Sequence, residues 1–307
     1  MNLAGRVAIV TGAGRGLGRA ISLALAAEGA KVIVVDPGVT RDGSNAGEKP
    51  ADEVVNEIRA AGGNAKADYT SVTDFHATEQ LIKNTVEEFG SLDILVNCAG
   101  ILRERMIWNM TEEEWDGVIA VHQKGTFNMT RHAAKVMREQ KFGRIINIAS
   151  DAWRGTVGQS NYGAAKGAIV SFTRSVAREL GRSGVTVNAI CPIAATRMNM
   201  HEGAIAGFKK RLEAGLITKE YYDQLMAMPG PEYVPPIIVY LATEQAKDIN
   251  GQVFHAEKGR VSIYSEPVEV RAIYKKVEDG LFTLDELIDA VPNTLLVGYK
   301  NPAPSEN

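Results

Sequence analysis

The chain has 307 residues, 45% apolar and 23% charged, and 34 basic against 37 acidic side chains leave a net charge of −3. That length suits one α/β domain of roughly 250 residues with an appendage, and the apolar content excludes intrinsic disorder for the bulk of the chain. No basic excess exists to neutralise a phosphate backbone, so nucleic acid is not an expected partner, whereas a small polyanion needs only a local positive site.

Short β-branched runs alternate with helical patterns. Val7–Val10 reads as a strand, and Gly16–Glu28 as a helix with Leu17, Ile21, Ala24 and Leu25 on one stripe. Val32–Asp36 is the second strand. Pro50–Ala61 follows as a helix, opened by proline and closed by Gly62-Gly63. Ala65–Asp68 and Leu92–Asn97 read as strands around a helix at Asp74–Phe89, and Glu112–Gln140 carries helical spacing. Arg144–Ala149, Val185–Cys191 and Gln252–Ala256 complete seven strands, separated by helices at Asn161–Arg182 and Glu232–Thr243. Apolar strands joined by helices predict a doubly wound, Rossmann-type parallel sheet of seven strands with helices on both faces.

Two stretches break the alternation. Pro37–Lys49 reads as a polar surface loop, and residues 198–236 as a lid-like insertion over a site. The expected division is a nucleotide-binding domain over residues 1–258 and a C-terminal extension over 259–307. The extension has helical pieces at Pro267–Lys276 and Thr283–Ala290, a polar end, and enough apolar surface to favour a packed tail. Cys98 and Cys191 are too few for a disulfide framework or a zinc site and read as buried small hydrophobes in a reducing cytoplasm. No metal is expected. The N-terminus lacks a signal-peptide pattern, and no apolar run approaches the ~20 residues that cross a bilayer.

Ligands in such sheets bind beyond the carboxyl ends of the strands. After the first strand comes TGAGRGLG, with Gly12, Gly14, Arg15, Gly16, Leu17 and Gly18 opening a helix. Glycines let backbone approach a pyrophosphate, and the helix N-terminus offers free N–H groups. Asp36 ends the second strand, where a carboxylate accepts both ribose hydroxyls of an adenosine and repels a 2′-phosphate, so NAD is favoured over NADP. Arg15 and Arg41 are the cations that stand against that reading. Asp68, ending the third strand, is a candidate cap for the adenine amino group. Tyr162 and Lys166 lie four residues apart on one helix face, where an ammonium lowers the pKa of a phenol. Ser150 ends the fifth strand on the same edge and can hold a carbonyl or alcohol oxygen beside that phenol.

Together, TGAGRGLG, the NCAG at 97–100, Ser150 and the Tyr162-x-x-x-Lys166 pair resemble the short-chain dehydrogenase/reductase family, compact branch, over roughly residues 3–258. The resemblance implies hydride transfer between a nicotinamide and a secondary alcohol or ketone. Tyr162 would be the acid/base, Ser150 would position the reacting oxygen, and Lys166 would bind the nicotinamide ribose and tune Tyr162. Asn97, Ala99, Gly100, Ile193 and Thr196 would line the cofactor, with Thr196 at the carboxamide. The stretches DPGVTRDG, NCAGILRER, VHQKGTF and PIAATRM narrow the resemblance to the dehydrogenase portion of the D-specific multifunctional enzymes of peroxisomal β-oxidation and their bacterial relatives. That branch implies a 3-hydroxyacyl-CoA substrate; a hydroxysteroid or other hydrophobic cyclic alcohol is the alternative, and a non-catalytic NAD-binding protein a remote one.

Departures from the family pattern are His122 in place of the usual Asn in a water relay, Ser150 one residue nearer Tyr162 than usual, and Ile193 where Gly often follows the proline. Trp153 and Arg154 are candidates to line the substrate mouth, with an apolar packing role as the equal alternative for Trp153. Arg103 and Arg105, after the fourth strand, read as surface charges paired with Glu104 or Glu112–Glu114, with a contact to acyl-CoA phosphates as the alternative. The long helices at 112–140 and 161–182 resemble those that pair between subunits in this family, which implies a homodimer or homotetramer, and Ala164, Ala165, Ala168 and Val176 on their outer faces are compatible with close helix contact.

Overall fold

Strand alternation sorts the apolar side chains onto two faces of one sheet. The computed structural model describes residues 1–44, 47–215 and 217–302. Residues 45 and 46 of the polar loop, 216 of the insertion and 303–307 of the polar end lie outside the described residues. The strands are β1 (Val7–Thr11), β2 (Lys31–Val35), β3 (Asn64–Asp68), β4 (Ile94–Asn97), β5 (Gly143–Ile148), β6 (Val185–Pro192), β7 (Val253–Glu257) and β8 (Arg260–Ile263). The helices are α1 (Gly16–Ala27), α2 (Pro50–Ala60), α3 (Phe75–Phe89), α4 (Glu112–Ile119), α5 (Gly125–Gln140), α6 (Ser160–Leu180), α7 (Glu202–Glu213), α8 (Lys219–Met226), α9 (Pro235–Ala242) and α10 (Leu284–Asn293).

The sheet runs β3-β2-β1-β4-β5-β6-β7-β8. Within β1, Ala8 and Val10 join one core cluster with Ile21 and Leu25 of α1, Val54 and Ile58 of α2, and Ile238 and Leu241 of α9. Val7 and Ile9 join the opposite cluster with Leu81 and Ile82 of α3, Met129 and Met137 of α5, and Val176 and Leu180 of α6. Burial on both faces is why these strands read as continuous apolar runs. The chain turns from β1 to β2 on one side and pairs β1 with β4 on the other. This reversal opens a crevice at the carboxyl ends of β1 and β4.

The seven parallel strands are present, but the sheet has eight strands, and the last is antiparallel. β8 folds back on β7 through Lys258-Gly259, with Glu257 opposite Arg260. Three of its four residues are exposed, so it shows no apolar run in the sequence. The first compact unit therefore runs Met1–Tyr264 rather than to residue 258, and the second is Ser265–Asn307. Within the second unit Pro267–Lys276 is not helical. Val268 and Val270 alternate with charged residues, which suits an extended chain, and Arg271 donates to the carbonyls of Leu295 and Val297 at 3.1 and 2.6 Å. Its α-helix α10 opens on a capping box between Thr283 and Glu286.

The insertion forms α7 and α8. The helical run 112–140 is interrupted by a wide π-helical turn at Ala120–Lys124. On α6 the expected outer face needs correction. Ala165 and Val176 fall on the buried stripe with Ile169, Thr173 and Leu180, and Ala164 and Ala168 face outward. The helical period of 3.6 residues puts the first group on one side.

Candidate active site

A cavity of about 470 Å³ opens in the crevice, with the glycine turn, Asp36, Ala99, Gly100, Ser150, Tyr162 and Thr196 on its walls. Backbone forms the glycine side. A Cβ on Gly18 would stand 2.1 Å from the Gly12 carbonyl oxygen, so only glycine lets the helix pack this close to the turn. The N-cap residue Arg15 makes no side-chain hydrogen bond to the first turn of α1. The N–H groups there are available to an anionic ligand, which the helix dipole favours. Leu17 and Gly16 share this wall, and Thr196 closes over it, 3.6 Å from the position of a Cβ on Gly16. This donor set fits the pyrophosphate of a dinucleotide.

Asp36 is buried at the end of β2. Its carboxylate is held by the amides of Gly14 at 2.9 Å and Gly38 at 2.8 Å. Each oxygen keeps a lone pair for a further donor. Of the cations that could meet a 2′-phosphate, Arg15 pairs with Glu48 and Arg41 with Glu104, while Arg197 lies on the same wall and donates to the Val39 carbonyl at 3.0 Å. Arg41 also donates to the Met198 carbonyl at 3.0 Å, which ties the polar loop to the start of the insertion.

The opposite wall carries the reactive groups. Tyr162 and Lys166 come from the first turns of α6, Ser150 from the end of β5, and His122 from the π-helical turn. Lys166 is 3% exposed, its Nζ donates to the Ile148 carbonyl at 2.5 Å, and it lies 5.5 Å from the Tyr162 ring centre. Burial pushes the Tyr162 phenol up to about 12, with a hydrogen bond to Ser150 acting in the opposite direction. The lowering expected from Lys166 is not met: the phenol is raised, with burial the largest cause. Burial also lowers the Lys166 ammonium, to about 8, and its hydrogen bond goes to Ile148.

His122 is 2% exposed, and burial, then the Lys166 charge, hold it neutral, near 3. Its Nε2 stands 2.8 Å from the Ile101 carbonyl, its Nδ1 is buried with no partner, and its ring meets Tyr162 edge-on at 5.1 Å. A Cβ on Gly100 would stand 2.5 Å from its Cε1. The glycine of NCAG is therefore the residue that admits this imidazole.

A buried ammonium lowers stability. Its folded-state pKa of about 8 lies below the ordinary 10.5, so the native chain releases this proton first and gains stability as pH rises between the two. Lys166→Met is expected to melt higher than the wild type at neutral pH, with the gap narrowing across that window. Melting curves over a pH series check this. A gap that does not narrow contradicts it.

Three candidates lie off the cavity walls. Asn97, at the end of β4, turns inward, and its Nδ2 donates to Thr130 at 3.1 Å and Asn147 at 2.8 Å. It braces β4, β5 and α5, because strand alternation points it beneath the sheet edge. The Asp68 carboxylate accepts from Thr70 N at 2.8 Å, and Thr70 and Val72 form the wall there. Ile193 spends its amide on the Ala256 carbonyl at 2.9 Å, leaving Pro192 and Ala194 on the wall. Two contributors were missed: Arg197 on the wall, and Thr11, whose Oγ1 accepts from Cys98 N and Ala99 N at 3.0 and 3.1 Å. Thr11 opens the TGAGRGLG stretch at the end of β1 and Arg197 lies in PIAATRM after β6, but spacing alone assigns neither side chain a role. Arg105 pairs with Glu114, and Arg103 donates to the carbonyls of Asp42 and Glu113, in keeping with surface roles. Burial raises both cysteine thiols to about 12, which leaves them unreactive.

The model of the short chain dehydrogenase family matches residues 6–205. The hydroxyacyl-CoA dehydrogenase ChsB1 of Mycobacterium tuberculosis is 42% identical over 87% of this chain and 81% of that protein. The peroxisomal multifunctional enzyme type 2 of Drosophila melanogaster is 41% identical over 83% of this chain and 39% of its own length. The crystal structure of a short chain dehydrogenase from Mycobacterium avium, 43% identical, superposes with a TM-score of 0.80 over 98% of both chains. This chain belongs to the short-chain dehydrogenase family, in the branch that includes the dehydrogenase part of the peroxisomal multifunctional enzymes. It is an oxidoreductase of small-molecule substrates that works with a nicotinamide cofactor. Among the described residues no helix is long and apolar enough to cross a membrane.

Proposed function

We propose that the chain is an NAD-dependent dehydrogenase of 3-hydroxyacyl-CoA thioesters, built as a catalytic domain with a short C-terminal extension. The observation that carries the reaction class is the meeting of Ser150, Tyr162, Lys166 and His122 on one wall of a cavity whose other wall is the glycine turn. The bound nicotinamide supplies the hydride acceptor. Tyr162 Oη takes the proton of the substrate hydroxyl as general base. Ser150 Oγ holds the same oxygen and fixes its distance from the phenol. Lys166 stabilises the phenolate as it forms and is placed to bind a ribose. The unpartnered Nδ1 of His122 is placed to hold a water that carries the proton onward. Gly12, Arg15, Gly16, Leu17, Gly18, Ala99, Gly100 and Thr196 line the cofactor, and Asp36 takes the adenosine ribose.

The thioester class is supported by the name of the Mycobacterium tuberculosis relative. An NADH absorbance assay across 3-hydroxyacyl-CoA thioesters, hydroxysteroids and cyclic alcohols tests it. Thioesters are expected to lead in kcat/KM by at least ~10-fold, the value of one well-placed recognition contact. A lead by the free alcohols would overturn the substrate class and leave the reaction class intact. The two free cysteines support a cytoplasmic enzyme, although several relatives are named as peroxisomal.

The assembly read for this enzyme is a homodimer or homotetramer. The outer face of α5 and α6 offers an apolar groove formed by Ile119, Phe127, Ala168 and Phe172. In the extension, Val268, Val270, Tyr274, Val277 and Leu281 are each more than 70% exposed, more apolar surface than a free tail carries. Light scattering at micromolar protein is expected to show the oligomer, and truncation after Tyr264 to lower its melting temperature. A monomer would contradict the first; an unchanged melting temperature would make the tail a passive extension.

A further inference from the structure

We propose that the terminal hairpin positions the Ser150 hydroxyl: His255 on β7 and Tyr264 just past β8 hold Asp151, and Asp151 fixes the turn that carries Ser150. His255 and Tyr264 are then positioning residues for the proposed reaction, more than 100 residues away in sequence. The inference rests on the role assigned to Ser150 above.

Ser150 caps the short 3-10 helix Asp151–Arg154, and its Oγ accepts from Ala152 N at 3.2 Å. The direction of that hydroxyl therefore follows the placement of the turn. The first residue of the turn is gripped from the hairpin. Asp151 Oδ1 accepts from Tyr264 Oη at 2.5 Å, and Oδ2 lies 3.3 Å from His255 Nδ1. The other imidazole nitrogen lies 3.4 Å from a Glu257 carboxylate oxygen, and the His255 side chain is only 7% exposed. Other residues of the turn converge on the same phenol: Trp153 meets the Tyr264 ring edge-on at 5.5 Å, and the Arg154 guanidinium lies 5.8 Å from it.

Burial does not account for the hairpin. Three of the four β8 residues are exposed. What β8 achieves is to return the chain so that Tyr264 N reaches the Val253 carbonyl at 2.8 Å and its hydroxyl reaches Asp151. A charge-assisted hydrogen bond of this kind has a strict direction, and a general acid/base pair depends on its partner being held to a fraction of an ångström. A loop that ends in a catalytic hydroxyl gains most from such a tether.

The test is a double-mutant cycle on the full chain, with Tyr264→Phe, Ser150→Ala and the pair, reading kcat, KM, the NADH dissociation constant and the melting temperature. Tyr264→Phe is expected to lower kcat by roughly tenfold, the scale of one hydrogen bond to a charged group, with NADH binding unchanged. In the Ser150→Ala background the same change is expected to cost nothing further. Asp151→Asn, which keeps an acceptor for the Tyr264 hydroxyl, is expected to retain most activity, and Asp151→Ala to match Tyr264→Phe. Equal losses from Tyr264→Phe in both backgrounds, or an unchanged kcat, would overturn the proposal and leave the Ser150 assignment standing. Undiminished activity in Ser150→Ala alone would instead remove that assignment, and the proposal with it.

Discussion

Replacing Tyr162 by Phe is expected to lower turnover by ~10²-fold or more, the usual contribution of a positioned acid/base, while NADH binds as tightly as before. The ring stays, so its edge-on contact with His122 and its place above Lys166 are kept. Only the proton-bearing oxygen is lost. Fluorescence titration with NADH and steady-state rates separate the two effects, and activity retained within about a factor of ten would rule out Tyr162 as the base. The phenol must shed its proton to act in oxidation, and burial pushes its pKa up to about 12. Oxidation by the wild type is therefore expected to quicken as pH rises from neutral, and a flat profile would point to another group.

Cofactor choice is the second large effect. Initial rates with NAD are expected to exceed those with NADP by at least ~10-fold, because a phosphate brought against the Asp36 carboxylate costs more than about 1.4 kcal/mol. The Gly14 and Gly38 amides fix that carboxylate where an adenosine ribose would lie. Glu48 and Glu104 pair with two of the arginines that could offset the repulsion, and the third, Arg197, donates to the Val39 carbonyl. Asp36→Ala is expected to narrow the ratio mainly by raising the KM for NAD. Equal rates with both cofactors in the wild type would contradict the role given to Asp36.

Much of the site could be read from order along the chain. Strands buried on both faces show as apolar runs, and glycines between a strand and a helix mark a phosphate turn whose close packing is visible at Gly18. The Tyr162 and Lys166 pair follows from helical spacing, and Ser150 from its place at a strand end. Other features depend on distance and burial, which spacing does not encode. β8 is a short edge strand with no apolar signature. Residues 267–276 carry apolar side chains that fit two periods, and contacts of Arg271 with the Leu295 and Val297 carbonyls accompany the extended form. Asn97 belongs to a recognisable motif yet points into the core. The Tyr162 phenol is raised because burial disfavours its charge, while the Lys166 hydrogen bond goes to the Ile148 carbonyl. The cluster of Asp151, His255 and Tyr264 joins distant segments through side chains that form no pattern in sequence.

The most direct measurement of the proposed activity is isotope transfer. A 3-hydroxyacyl-CoA carrying deuterium on its carbinol carbon is incubated with NAD and enzyme, and the nicotinamide product is analysed by mass spectrometry. The account predicts that the reduced cofactor gains the deuterium as the 3-ketoacyl-CoA forms, and that Tyr162→Phe abolishes most of this transfer. A 3-ketoacyl-CoA product formed without label in the cofactor, or no transfer from any thioester or secondary alcohol, would contradict it.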